Sequence, residues 1–348
     1  MIAYIIAGSG FGNIDVSSWN HSYRVELNAL YNRWRGNRTL MEMFNFIFNE
    51  NGYKCKEFFH SCWTGAYVLD CCKVFEPTYV MLRGRCFRLI NNYNQHDVDE
   101  IGKLTVFLNT VPNVLEQKRT QPQVIMYISD SHPEIGINPR FYLDYHNWNR
   151  VRLTQQRISM LSDNPLCTEN PLNQGKSTCF VYNWIRDVLL TPLNCTLPYF
   201  KGMLSYLDNA TVCDTSIVIN DYYRITSSIR KNYNCLVACE RTVNEMQMLT
   251  SQDFTHNISY SFRLEISFGD LQYQHYSESR LTTAAGFISE LGGQSGLFIG
   301  CSVMSVIQLV FSVLLIISAC AQKIYKRCLS LLISSKACIV MSDIHNMW

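Results

Sequence analysis

The longest apolar stretch of the chain lies near its C-terminal end, between residues 296 and 320. These 25 residues carry no charge, and Gln308 is the only strongly polar side chain among them. A helix of that length spans about 37 Å, which exceeds the ~30 Å hydrocarbon core of a bilayer. A core helix of a soluble protein normally keeps one polar face, and this stretch has none. The pattern therefore predicts a transmembrane helix.

The residues before this stretch mix helical and strand periodicity. Residues 20–50 are predicted to be helical, with Leu27, Leu30, Tyr31 and Trp34 on one apolar face. Further helices are predicted near residues 179–190 and 235–248. Alternating apolar and polar positions predict strands in RCFRLI (85–90), GKLTVFLNTV (102–111), PQVIMYISD (122–130) and SYSFRLEISFGDLQYQHY (259–276).

These patterns divide the chain into four segments. They are an N-terminal segment (1–54), a cysteine-rich domain (55–289), a pre-transmembrane and transmembrane helix (290–320) and a short tail (321–348). Lys323, Lys326 and Arg327 follow the apolar run, and the positive-inside rule then predicts a cytoplasmic C-terminus. Everything before residue 290, the N-terminal segment included, is expected to be extracellular.

The N-terminal sequence MIAYIIAG is apolar but too short to span a membrane. It also lacks the basic region of a signal peptide. Two expectations stay open: the C-terminal helix serves as a signal-anchor, or residues precede Met1 in the complete protein.

Cysteine usage agrees with an extracellular domain. Eleven of the 15 cysteines precede the apolar run, and outside the cell such residues normally form disulfides. Because eleven is odd, at least one of them is expected to be free or to pair with another chain. The disulfide candidates are Cys55, Cys62, Cys71, Cys72, Cys86, Cys167, Cys179, Cys195, Cys213, Cys235 and Cys239.

Glycosylation sequons point to the same orientation. Five Asn-x-Ser/Thr sites occur before the apolar run, and none follows it. They begin at Asn20, Asn37, Asn194, Asn209 and Asn257. Together with the transmembrane helix, they predict a plasma-membrane glycoprotein.

Several function classes are excluded by the same sequence. The formal net charge is +2, and no basic stripe with interleaved aromatic residues indicates nucleic-acid binding. No catalytic motif is present, so no enzyme activity and no cofactor are expected. Cys235 and Cys239 have a spacing that a metal could use, but an extracellular setting favours disulfides, and no metal site is predicted.

Small residues crowd the entry to the predicted membrane helix. Gly292, Gly293, Gly296 and Gly300 lie there, and Cys301 and Ser302 follow them. Glycines allow neighbouring helices to approach closely and allow a helix to break, so that carbonyl groups can line a narrow path. A simple membrane anchor needs neither property, and the pattern is typical of a pore.

The stretch GGQSGLFIGCSVMSVIQLV (292–310) resembles the second transmembrane segment of the epithelial sodium channel/degenerin family, which includes the acid-sensing channels. Upstream, LEISFGDLQYQHYSES resembles the last palm strand of that family, and NCTLPYF and NCLVACERTVNE resemble its cysteine-bearing thumb. GRCFRLINNY resembles a further strand. The likeness covers roughly residues 55 to 325. It implies a cysteine-rich α+β extracellular domain of palm, thumb and finger type, followed by one C-terminal transmembrane helix.

The resemblance also implies a function and a set of site residues. It implies a trimeric sodium channel, amiloride-sensitive and gated by a ligand or by mechanical force, in which Na⁺ is the permeant ion. Gly300, Cys301 and Ser302 match the Gly-x-Ser selectivity tripeptide of the family. Ser289 matches the degenerin position, where bulky residues hold such channels open.

The chain also departs from the family pattern. The family has two membrane helices, whereas this sequence shows one apolar run of that length, so a channel reading requires a first helix upstream of Met1. Gln308 stands where the family usually has glutamate. An alternative therefore stays open: a non-conducting, single-pass surface protein that binds a ligand or modulates intact channel subunits. Partners expected in either case are the membrane, family subunits in a homo- or hetero-trimer, and an unidentified extracellular ligand.

Overall fold

A computed structural model describes residues 1–110, 123–128, 140–170, 176–228, 232–254, 259–300 and 303–344. The chain forms two compact units, Met1–Glu278 and Ser279–Trp348. The first unit is a mixed α+β domain. The second unit is helical.

Twelve α-helices occur in the described residues. They are α1 (Ile2–Gly8), α2 (His21–Arg35), α3 (Leu40–Phe44), α4 (Cys55–Phe58), α5 (Cys71–Val74), α6 (Asp99–Gly102), α7 (Lys176–Trp184), α8 (Thr191–Leu193), α9 (Thr215–Asn220), α10 (Tyr222–Ser227), α11 (Ala284–Ile299) and α12 (Val303–Ile344). Two π-helical segments, Asn45–Glu50 and Ile185–Leu190, extend α3 and α7.

Thirteen strands occur in the same described ranges. They are β1 (Phe59–Thr64), β2 (Tyr67–Leu69), β3 (Phe75–Val80), β4 (Gly84–Leu89), β5 (Leu104–Leu108), β6 (Gln123–Tyr127), β7 (Arg140–Asp144), β8 (Asn147–Ser159), β9 (Cys167–Thr168), β10 (Val237–Ala238), β11 (Glu240–Gln252), β12 (Phe262–Phe268) and β13 (Gln274–Ser277). The main sheet has the order β11-β8-β12-β5-β1-β2, and β13 also pairs with β8.

Strand β8 lies in the main sheet between β11 and β12. It pairs antiparallel with β11 along all 13 residues, and parallel with β12 and then β13 on its other side. Val151 and Leu153 are buried, while Arg150 and Arg152, which alternate with them, are exposed. This period of two places one face of the strand on the core. Phe262 of β12 and Val106 of β5 belong to the same apolar cluster.

The helical part of the first unit has its own cores. Trp184, Leu189 and Phe200 are fully buried in one cluster. Tyr4 of α1 and Ile219 of α9 are buried in another. The apolar N-terminal octapeptide is thus part of a folded core, which explains why it is apolar without being long enough to cross a membrane.

The helical prediction for residues 20–50 is realised as α2, α3 and a π-helical segment. Asn20 caps α2 by accepting a hydrogen bond from the Tyr23 backbone N–H. Gly36, with φ of +57°, ends that helix in a backbone conformation that glycine tolerates. Thr39 and Glu42 form a capping box that starts α3.

The helix predicted near residues 235–248 is wrong. This segment forms β10 and most of β11. Met246 and Met248 are half-buried, whereas Glu245, Gln247 and Leu249 are exposed, so the side chains alternate with a period of two. Long-range pairing with β8 decides the conformation, and such pairing is not visible in a local window.

Five disulfides join ten of the eleven candidate cysteines. The pairs are Cys55–Cys72, Cys62–Cys71, Cys167–Cys239, Cys179–Cys235 and Cys195–Cys213. Cys86 on β4, also a candidate, carries a free thiol. Burial raises the pKa of that thiol to about 11. The odd cysteine count is thereby accounted for within the chain.

Candidate pore segment

The second unit contains two helices separated by a break at Gly300. Helix α11 ends at Ile299 and α12 begins at Val303. Gly300 has φ of +68°, which lies in the left-handed region that an L-residue adopts at a cost. Apart from the two neighbouring residues, a Cβ at this position would meet no atom of the described residues within 4 Å. Glycine is therefore required here by backbone conformation rather than by crowding within one chain.

The small residues named from sequence fall on one face of α11. Ser289, Gly292, Gly293 and Gly296 follow the spacing i, i+3, i+4 and i+7, which a helix brings to one side. A Cβ on Gly292 or Gly293 would also meet nothing within 4 Å. The face is thus open in the single chain. It leaves room for another backbone to approach.

The apolar side chains around the break have no burial partner within the described unit. Leu297 and Phe298 are each more than 80% exposed. In the described residues, Met304–Arg327 is the one helix long and apolar enough to cross a membrane, by length and composition, and it is 0% buried. Such an apolar surface is not stable in water, so this helix requires lipid or neighbouring subunits around it.

Of the other predicted pore residues, the structure describes Gln308 but not Cys301 or Ser302. Gln308 lies on α12, within the membrane-length stretch, and is exposed in the single chain. Met304–Arg327 contains no acidic side chain, and its charges, Lys323, Lys326 and Arg327, stand at its C-terminal end. Cys301 and Ser302 lie outside the described residues, and their role in a selectivity tripeptide stays a prediction.

The end of the first unit is held by a residue that sequence reasoning missed. The Glu278 carboxylate accepts hydrogen bonds from the Leu161 backbone N–H and the Asn164 side-chain amide, each at 2.9 Å. The Glu278 backbone N–H donates to the Ser159 carbonyl at 2.8 Å. The Asn164 bond, followed by the Leu161 bond, lowers the pKa of this exposed carboxyl. These bonds fasten the residue after β13 to the loop that enters β9.

Four of the five sequons are exposed. Asn20, Asn37, Asn194 and Asn209 all lie at the surface of the first unit, while Asn257 lies outside the described residues. The Thr211 hydroxyl donates to the Asn194 carbonyl at 3.0 Å, and Thr196 pairs with Val212 across a short bridge. The Asn194 and Asn209 sequons therefore lie side by side. Glycosylation at these positions stays a prediction.

The sequence of the chain is similar to a known channel family and to one of its members. The family model described as amiloride-sensitive sodium channel matches residues 12–312, which is most of the chain. The chain is also 28% identical over 113 residues to the epithelial sodium channel subunit beta of Xenopus laevis. That match covers 25% of this chain and 18% of the relative, so the chain spans less than a fifth of that relative's length. The molecule is a membrane protein with an extracellular-type disulfide domain. The chain belongs to the amiloride-sensitive sodium channel family.

Proposed function

We propose that the chain is a subunit of a trimeric, amiloride-sensitive sodium channel of the plasma membrane, in which residues 290–311 line the Na⁺ path. The observation that carries the proposal is the helix break at Gly300, between α11 and a membrane-length helix without burial partners. Family membership supports it independently.

A narrow cation pore requires oxygen ligands for the ion and close approach of the subunits that form it. Where a helix breaks, its carbonyl groups lose their intrahelical donors and become available to a partly dehydrated cation. Three copies of the open face formed by Ser289, Gly292, Gly293 and Gly296 can approach one another closely because those positions carry little or no side chain. The Gly300-Cys301-Ser302 tripeptide then stands at the constriction.

The orientation proposed is an extracellular first unit and a cytoplasmic C-terminus. Disulfides persist in oxidising compartments, and all five belong to the first unit. Lys323, Lys326 and Arg327 end the membrane-length stretch on the side that the positive-inside rule assigns to the cytoplasm.

The name of the Xenopus laevis relative and the glutamine at position 308 both support heteromeric assembly. The Xenopus laevis relative is by its name a beta subunit, which implies partner subunits for that protein. Gln308 gives three identical copies no ring of carboxylates, whereas a partner with an acidic residue at this depth would restore cation attraction. We therefore expect conduction to be stronger with a partner subunit than from this chain alone.

The test is the Na⁺ current in Xenopus oocytes that express the chain alone or with the beta subunit. The proposal predicts an amiloride-blocked current to which this chain contributes, and a larger conductance for Gln308→Glu. Gln322→Glu places the same charge near the C-terminal end of the membrane-length stretch Met304–Arg327 and serves as the control, with a smaller expected effect. A current that neither variant alters would contradict a pore position for Gln308.

A second candidate function is a non-conducting modulator of family channels. The observation that favours it is the lack of any acidic side chain in Met304–Arg327. Co-expression would then reduce the current of the partner subunit, while the chain reaches the surface and co-purifies with that partner. An increased current on co-expression would exclude this candidate.

A further inference from the structure

A cavity of about 480 Å³ lies in the first unit. One wall is a face of α7 and its π-helical extension, formed by Cys179, Tyr182, Asn183 and Arg186. These residues are spaced i, i+3, i+4 and i+7, as one helical face requires. The opposite face of the same helix is buried in the core, so the cavity wall is held by a packed element. The volume lies within the range of small-ligand sites.

Two disulfides fix the walls of this cavity to each other. Cys179–Cys235 ties the helical wall to the segment that contributes Tyr233, Asn234 and Leu236. Cys167–Cys239 flanks the short parallel pair of β9 and β10, and Thr168 of β9 also lines the cavity. Covalent ties of this kind preorganise a site, which lowers the entropic cost of binding.

The charge of the lining is positive. Of the described side chains that line the cavity, Arg186 alone is charged. Its Nε donates to the Asp187 carboxylate at 2.9 Å, and this bond raises the pKa of the guanidinium, so it stays cationic. The two terminal nitrogens of the guanidinium form a fork that matches a carboxylate. The cavity therefore favours an anion with planar geometry.

The lining also includes apolar and aromatic side chains. Leu236 lines the cavity and is exposed, and the parallel pairing of Val237 with Cys167 sets Leu236 beside Leu166, which is also exposed. The rings of Tyr182 and Tyr233 add aromatic surface. A ligand that fills the site would present an apolar or aromatic group to these side chains and an anionic group to Arg186.

We propose that this cavity is a binding site for a carboxylate joined to an apolar or aromatic side chain, with the carboxylate bound by Arg186. Two sources share that chemistry: a free amino-acid derivative and the C-terminal residue of a peptide. The proposal concerns binding by the disulfide domain and does not depend on whether the chain conducts.

The experiment measures binding of defined probes to the purified full-length chain in detergent, by calorimetry or saturation-transfer NMR. N-acetylphenylalanine represents the free source and N-acetyl-Gly-Gly-Phe the peptide source. The corresponding carboxamides are the neutral controls. We expect at least one acid to bind at about millimolar concentration or below, and its carboxamide to bind at least tenfold more weakly. Preference for the tripeptide acid would identify a peptide end as the ligand.

Arg186→Gln should weaken binding of the acid at least tenfold, because the fork is lost. Arg186→Lys, which keeps the charge without the fork, should restore part of the affinity. Arg152→Gln is the matched control, since Arg152 also pairs with one carboxylate (Asp99) and is similarly exposed, 57% against 49%. Equal binding of acid and carboxamide, an unaffected Arg186→Gln variant, or no binding of any probe at millimolar concentration would overturn the proposal.

Discussion

Glu265 stands at the centre of a charge cluster in the main sheet. Its side chain on β12 is only 4% exposed, and it accepts hydrogen bonds from Arg263 at 2.8 Å and from Lys103 at 3.1 Å. Arg263 in turn lies 3.8 Å over the Trp148 ring and 3.8 Å from the Asp253 carboxylate. Glu265→Gln would therefore leave two cations without their shared buried carboxylate.

The size of the effect follows from burial. Removing one partner of a buried ion pair costs about 3–5 kcal/mol. Glu265→Gln breaks two such pairs at once, after which, of the described carboxylates, Arg263 keeps only Asp253 and Lys103 keeps only Glu100. Lys103 also pairs with Glu100, which is 66% exposed, and an exposed pair contributes about 0.2–1 kcal/mol. Glu100→Gln is thus a matched control that removes the other carboxylate from the same lysine.

The assay is thermal unfolding of the purified chain under oxidising conditions. At roughly 2–4 °C per kcal/mol for a large domain, Glu265→Gln should lower the Tm by about 6–20 °C, and Glu100→Gln by at most about 4 °C. Equal shifts in the two variants would refute the reasoning that burial controls the energy of this cluster.

The same cluster predicts a loss of stability at alkaline pH. Partial burial by itself would lower the pKa of the Lys103 ammonium, but its hydrogen bonds to Glu100 and Glu265 outweigh burial and raise the pKa. A raised folded-state pKa contributes stability below the unfolded value of about 10.5 and loses it as pH rises further. The wild-type Tm should therefore fall more steeply above that pH than the Tm of Lys103→Met.

Three further predictions concern the surface and the cysteines of the first unit. The Cys86 thiol is partly buried and its pKa is about 11, so it should resist N-ethylmaleimide at neutral pH in the folded chain and react after denaturation. Mass spectrometry of its tryptic peptide measures the labelling. Rapid labelling of the folded chain would contradict this prediction. Glu278→Gln should increase amide hydrogen exchange in the loop at residues 161–164 at neutral pH. Because the Glu278 pKa is lowered, the exchange of the wild type should approach that of the variant only when pH falls below the usual carboxyl range. Identical exchange at neutral pH would show that the Glu278 carboxylate does not hold this loop. Asn194→Gln and Asn209→Gln should each remove one glycan and be additive by mass after expression in cells, whereas unchanged masses would argue against an extracellular first unit.

How far the sequence predicted this fold depends on the range of the interactions involved. The membrane helix and the helical segment at 20–50 are visible locally, because length, uncharged composition and capping residues act within a few turns. The α+β class follows from the family resemblance and is confirmed. The absence of enzyme activity is confirmed by membership in a channel family. The family resemblance, which rested on 292–310, is likewise confirmed.

Other features required contacts that are distant in sequence. The segment 235–248 was predicted as a helix, and only its pairing with β8 makes it a strand. The eleven cysteines allowed many connectivities, and the separation of 72 residues in Cys167–Cys239 could not be chosen from spacing. Arg186 and Glu278 looked like ordinary surface charges, since nothing in the local sequence indicates a cavity or a distant loop beside them.

The most direct test of the proposed pore is the effect of a bulky residue at Ser289. Ser289 lies on the small-residue face of α11, whereas Ile288 is its neighbour, turned about 100° around the helix. In oocytes that express the complete protein, with any residues that precede Met1, together with the beta subunit, Ser289→Phe should give a larger, constitutive, amiloride-blocked Na⁺ current, and Ile288→Phe should leave the current near wild type. Equal currents in both variants, with both chains at the cell surface, would contradict the account.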